Sequence, residues 1–169
     1  TSLGNGMFQN CTSLDEITLP TTLTAIPAHF LENTAISEIV IPAGVTIMGT
    51  YTDSESTSAG YSFAYCPNLT KVTFAGNKLA GIGYATFRGC TNLTSFTIPE
   101  TVGRIRSFAF ADTGITSINI PAAIYELGRG VFAGCDLKTI TVAGGHEDFA
   151  AEGNVLYSID KTEIYYHPD

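Results

Sequence analysis

A frame of apolar positions, opened each time by a phenylalanine, recurs along the chain. In its clearest copy, counted from Phe87, apolar residues fall at +6 (Leu93), +9 (Phe96), +11 (Ile98), +15 (Val102) and +18 (Ile105), and the next framing Phe arrives at +23. The frame opens at Phe8, Phe30, Phe63, Phe87, Phe110 and Phe132, at intervals of 22, 33, 24, 23 and 22 residues. Self-similarity with a period of roughly 20 to 30 residues is the mark of a solenoid, in which each repeat buries its apolar side only against its neighbours.

Within a copy, the +9 and +11 residues alternate with polar ones, as in Ser95-Phe96-Thr97-Ile98. Period two predicts a strand with one buried and one solvated face. Stacked copies then give a parallel sheet along one side of a right-handed coil. The outward columns of that sheet are Glu16, Glu38, Lys71, Ser95, Ser117, Thr139 and Thr18, Val40, Thr73, Thr97, Asn119, Thr141. The Gly-, Ala- and Asn-rich stretches around each Phe predict short helical or 3₁₀ turns, with the Phe side chains forming an inner column. The long interval after Phe30 holds a polar run, about residues 50–59, read as an inserted surface loop. After Ala143-Gly-Gly145 the frame breaks, and residues 154–167 alternate around Asp160-Lys161-Thr162, which predicts a terminal β-hairpin. The whole chain thus reads as one domain of about six repeats, and as a fragment of a larger protein.

Charge changes the picture by excluding partners. The net charge is −8 over 169 residues, and residues 1–70 carry six acids but no Lys or Arg. Nucleic acid is excluded as an expected partner, because phosphate binding needs clustered basic side chains. No apolar run approaches the ~18 residues of a membrane-spanning helix, and the first residues carry no signal-peptide pattern.

Candidate chemistry is sparse. Cys11, Cys66, Cys90 and Cys135 each follow a framing Phe by three residues. A shared phase favours one repeated inward pocket, where a free thiol behaves as a small hydrophobe. The position is Asn33 in the second copy and Thr113 in the fifth, so only Cys66 and Cys90 could bridge adjacent coils. Leu127-Gly128-Arg-Gly130 superficially matches a dinucleotide fingerprint but lacks the strand, long helix and distal acid that such a site needs. No metal-ligand spacing is present, His29, His146 and His167 fall in three different phases, and no nucleophile elbow is readable. The three Asn-x-Ser/Thr sequons, at Asn10, Asn68 and Asn92, sit in turns before strands. No cofactor and no catalytic residue are expected.

The pattern Phe-x-x-Cys-x-x-Leu-x-x-Ile-x-Ile-Pro-x-x-Val-x-x-Ile resembles the BspA-like leucine-rich repeats of bacterial cell-surface and secreted proteins. The tail from Gly153 to Pro168 is similar to the hairpin variant that such proteins carry. The resemblance implies a leucine-rich-repeat solenoid at the cell surface or outside the cell, with a non-catalytic binding or adhesion role toward a protein, including host extracellular-matrix or plasma proteins. A structural spacer without its own ligand is the alternative, with a glycan-binding Thr face or a hydrolase further off.

Interface anchors favour Trp, Tyr and Arg. The outward strand columns have none, which points to Tyr51, Asp53 and Glu55 in the inserted loop and to Arg104, Arg106 and Arg129 following strands four and five. The first coil, with no preceding repeat over Phe8, Leu14 and Ile17, is expected to be the weak end. A monomer, or weak association through the solenoid ends, is the expected state.

Overall fold

The computed structural model describes residues 3–49 and 60–168. The inserted loop, with Tyr51, Asp53 and Glu55, lies outside the described residues. Six coils stack along one axis, and each has three corners.

The first corner is the expected strand face. β2 (Glu38–Ile41) pairs in parallel with β4 (Lys71–Phe74), and β7 (Ser117–Ile120) with β9 (Thr139–Val142). The alternation is as read: Ile39 and Ile41 are buried while Glu38 and Val40 face solvent. The sheet is nevertheless not continuous. The fourth copy, 95–98, is extended but unpaired, and among the described residues no backbone hydrogen bond ties 94–98 to either neighbouring coil. Bulk at this corner differs from the other coils. Phe96 and Phe74 stand where the other copies carry Ile, Val or Leu, and they meet edge-on at 5.9 Å. Phe96 also packs between Phe87 (5.2 Å) and Phe110 (4.7 Å).

The second corner is a sheet that the period-two reading did not identify. Five two-residue strands pair in parallel in chain order: β1 (Ala25–Ile26), β3 (Ile47–Met48), β5 (Gly81–Ile82), β6 (Arg104–Ile105) and β8 (Glu126–Leu127). Two residues are too few to show alternation, so only their inward apolar members, at +17 to +19, were visible. Arg104, which follows residues 95–98 as expected, itself lies within the second strand of its coil.

The third corner is the turn that carries the framing residue. Its peptides form a ladder between coils. Phe63 N donates to Thr86 O at 2.9 Å, Phe87 N to Ala109 O at 2.8 Å and Phe110 N to Val131 O at 2.9 Å. Each turn closes on itself with i→i+3 bonds such as Cys90 N to Phe87 O, 3.1 Å. These are isolated 3₁₀-type turns, and no helix forms among the described residues.

The ladder also fixes the register of the second coil. Leu31 N donates to Ser62 O at 2.8 Å, as Phe63 N does to Thr86 O. Left-handed residues flank Leu31 at −2 and +2 (His29, Asn33), as they flank Phe63 (Tyr61, Tyr65). Leu31 is thus the framing residue of this coil, and Phe30 precedes it. In this coil, as in the fifth, the next inward residue falls at +5 from the framing residue rather than +6. The +6 count from Phe30 to Ile36 hid that shortening.

Phe63, Phe87, Phe110 and Phe132 stack with centroids 5.4, 5.5 and 5.8 Å apart and planes within 15°. Phe8 meets Phe30 edge-on at 5.4 Å. Each such pair adds roughly 0.5–1.5 kcal/mol beyond its area burial.

The chain ends in three antiparallel strands, β10 (Phe149–Glu152), β11 (Val155–Ser158) and β12 (Ile164–Tyr166). The expected hairpin is β11–β12, and β10 extends it. Tyr166 ties this sheet to the last coil. Its hydroxyl donates to Cys135 O and accepts from Leu137 N, both at 3.1 Å.

Candidate protein-binding surface

The expected arginine edge is partly assembled. Arg104 Nε donates to Tyr125 Oη at 2.6 Å, and its guanidinium lies 5.4 Å from that ring's centroid. Arg106 Nη1 reaches Glu126 Oε1 at 2.6 Å, and Arg104 lies 3.4 Å from the other oxygen of the same carboxylate. Glu126 and Tyr125 thus engage both arginines, which leaves less charge for a partner. Arg129 stands apart, exposed beside a groove of ≈ 530 Å³ bordered by Glu163 and Tyr165. The strand face offers shallow grooves on the two sides of residues 95–98, one of ≈ 300 Å³ lined mainly by Ser, Thr and Asn and one of ≈ 390 Å³ where Val72, Phe74, Phe96 and Pro99 join Thr and Ser.

The thiols occupy the expected phase. Cys66, Cys90 and Cys135 are buried, and each donates to the framing carbonyl of the preceding coil: Leu31 O at 3.0 Å, Phe63 O at 3.1 Å and Phe110 O at 3.0 Å. Thr34, rather than Asn33, fills this pocket in the second coil and lies 3.3 Å from Cys66 Sγ, as Thr113 lies 3.2 Å from Cys135 Sγ. Cys11 departs from the expectation. Its thiol is exposed. Burial pushes the Cys90 thiol up, whereas the neighbouring Cys90 thiol pulls Cys66 down.

The glycines of the would-be fingerprint serve packing. A Cβ on Gly128 would sit 2.1 Å from Ser107 N, so that corner needs a bare backbone. Gly130, at φ +58°, leaves room for the Phe108 ring. Among the described residues, no group of His, Cys, Asp and Glu side chains is arranged to hold a metal ion.

The turn corner carries what the sequence reading missed. At −2 and +2 from each framing residue the backbone is left-handed; at +2 every coil but the third places Gly, Asn or Asp, whereas at −2 only the first and sixth do, with Gly6 and Gly130, and the fourth has Ala85. The central coils instead place large rings in that conformation: His29 (φ 56°), Tyr61 (62°), Tyr65 (57°) and Phe108 (59°). Such residues disfavour positive φ because Cβ crowds the backbone, at roughly 1–3 kcal/mol each.

These rings line up across the coils. His29 stacks on Tyr61 at 5.4 Å, Tyr61 lies 6.4 Å from Tyr65 and 5.5 Å from Tyr84, and Tyr84 meets Phe108 at 5.9 Å. Burial and then the adjacent Tyr84 raise the Tyr61 pKa. Tyr65 is 42% exposed and the other rings are half-buried. Glu32 closes one end, held by His29 Nδ1 at 2.6 Å and Gln9 Nε2 at 2.8 Å. Arg88 closes the other, its guanidinium 5.6 Å from the Phe108 centroid and its Nε 3.5 Å from Asp112. Reading the −2 and +2 columns as was done for the strands would have found this strip.

The sequence profile of the BspA type leucine rich repeat region matches six copies, over residues 1–59 and 56–152. The chain belongs to this family. Two solved structures agree in fold. A leucine-rich repeat protein from Eubacterium ventriosum is 23% identical with TM-score 0.56, covering 79% of this chain and 39% of its own. The pneumococcal vaccine antigen PcpA is 24% identical with TM-score 0.51, covering 86% and 29%. A leucine rich cell surface protein from Faecalibacterium prausnitzii is 24% identical with TM-score 0.47, covering 83% and 57%. The BspA-type chain thus spans less than two thirds of the length of each. No curated protein sequence is significantly similar to it. No enzyme family emerges from these comparisons.

Proposed function

We propose that this chain is part of a non-catalytic surface scaffold that binds a protein partner through the aromatic turn edge. The observation that carries this reading is the backbone of Tyr61, Tyr65 and Phe108. Tyr65 holds a bulky ring at the +2 position, which the other five coils give to Gly, Asn or Asp, and Tyr61 and Phe108 hold rings at −2, where the end coils use Gly6 and Gly130, each ring at a cost in stability. Tyrosine and arginine on a contiguous strip supply the anchors that interfaces favour. A spacer would be evenly solvated, and this edge is not. Tyr51, Asp53 and Glu55, which precede Gly60-Tyr61 in sequence, and Arg104, Arg106 and Arg129 are secondary candidates for the contact. An extracellular or cell-surface location follows from the family resemblance and accords with the antigen status of the pneumococcal neighbour.

The test separates stability from binding. Tyr65→Asn places a side chain that tolerates left-handed backbone at an exposed site, so the melting temperature should hold or rise. In a binding screen against purified extracellular-matrix and plasma proteins, Tyr61→Ser and Tyr65→Asn should each weaken a partner bound by the parent about tenfold or more, the size of an anchor loss. If Tyr65→Asn melts several degrees lower, or if partners bind both variants as tightly as the parent, the edge is ordinary packing.

A further inference from the structure

From the charge around this edge we infer that its partner presents an arginine-rich, extended segment. The inference rests on the proposed protein-binding role and adds the chemistry of the occupant. Two observations carry it.

The first is charge complementarity. The chain carries a net charge of −8, and of the residues around His29, Tyr61 and Tyr65 the neighbouring coil alone supplies an arginine, Arg88, whose carbonyl accepts from Tyr65 N at 2.7 Å. Glu32 stands at that end, its side chain 15% exposed. Partners of the opposite sign are drawn to such a surface, and like-charged ones are repelled.

The second is that the molecule already uses its rings this way. Arg88 lies over Phe108 at 5.6 Å and Arg104 over Tyr125 at 5.4 Å. A guanidinium is planar, weakly hydrated and stacks on aromatic faces, whereas an ammonium is compact and strongly hydrated. In this fold Arg88 stacks at the Phe108 end of the strip, and the 42% exposed Tyr65 ring leaves a face open toward the other. Coils stack ~4.8 Å apart, so the strip from His29 in the second coil to Phe108 in the fifth is roughly 14 Å long, the reach of about four to five extended residues. Arginines at alternate positions of an extended segment would point to the same side, toward successive rings.

Three fluorescein-labelled nine-residue peptides, in which Gly alternates with Arg, Lys or Glu, decide the matter by anisotropy at 50 and 150 mM NaCl. The Arg peptide should bind, the Lys peptide several-fold more weakly, and the Glu peptide not at all. Tyr61→Leu with Tyr65→Leu keeps net charge constant and should weaken the Arg peptide at least tenfold. Tyr65→Asn alone should weaken it several-fold if the double variant fails to fold, and Thr97→Ala on the strand face should change nothing. Equal binding of the Arg peptide to parent and tyrosine variants would mean a diffuse charge effect and overturn the inference, as would no binding at all. A protein partner that depends on Tyr61 and Tyr65 while the Arg peptide does not bind would sink the inference and leave the proposed function standing. Indifference of both to the tyrosines would remove both.

Discussion

At the level of single residues, a repeated position is defined by what its backbone and neighbours demand. The thiol pocket shows this. Cysteine and threonine alternate there because either can donate to a nearby framing carbonyl while filling a small apolar space. A thiol reagent should therefore find one equivalent at once, Cys11, and three more only after unfolding. Two or more fast equivalents would contradict the burial of Cys66, Cys90 and Cys135, and a total near two would indicate a Cys66–Cys90 bridge. Gly128 makes the opposite demand, since its missing Cβ lets the backbone of Ser107 approach. Gly128→Ala should lower stability by about 2 kcal/mol or more, the cost of overpacking a close contact. The phase of the cysteines was legible in the sequence, because a 23-residue frame places them directly. The misassignment of Phe30 was not avoidable by counting, because a one-residue deletion between Leu31 and Ile36 preserves the spacing from the wrong residue.

Elements were legible in proportion to their length. Four-residue strands such as Glu38–Ile41 show alternation. Two-residue strands such as Arg104–Ile105 cannot, and their sheet is set by stacking against neighbours rather than by local pattern. The terminal hairpin was visible through its polar turn, whereas β10, Phe-Ala-Ala-Glu, has too little β character to stand out. That sheet also has its own pH response. Burial, and then the Glu163 carboxylate 2.7 Å from its hydroxyl, raise the Tyr165 phenol to about 12. The neutral phenol is thus favoured by folding. Its contribution is complete below the usual tyrosine pKa of about 10 and disappears as pH climbs toward 12. Melting temperature should fall over that window in the parent and fall less in Tyr165→Phe. Identical pH profiles for the two proteins would refute the assignment.

For the whole molecule, stability is a sum over neighbouring coils, so position along the axis matters. The first coil leaves Phe8, Leu14 and Ile17 only partly buried, while framing residues from Leu31 to Phe132 are fully so. Amide exchange should be fastest through residues 4–19 and slowest in the turn ladder from Phe63 to Phe110. Uniform protection would mean that the first coil is covered, as by the end-to-end association expected from the sequence. The candidate surface was the least legible part. Its rings occupy positions that read as turn, and only the left-handed backbone reveals that a turn residue there should have been small. The unpaired corner at residues 94–98 has a mechanical meaning. The fourth coil is joined to its neighbours at two corners and loose at the third. Such a coil is a hinge with its leaf on the strand side: tension or bending along the axis opens that side first, while the turn edge, with its aromatic strip, stays closed and keeps its spacing under load.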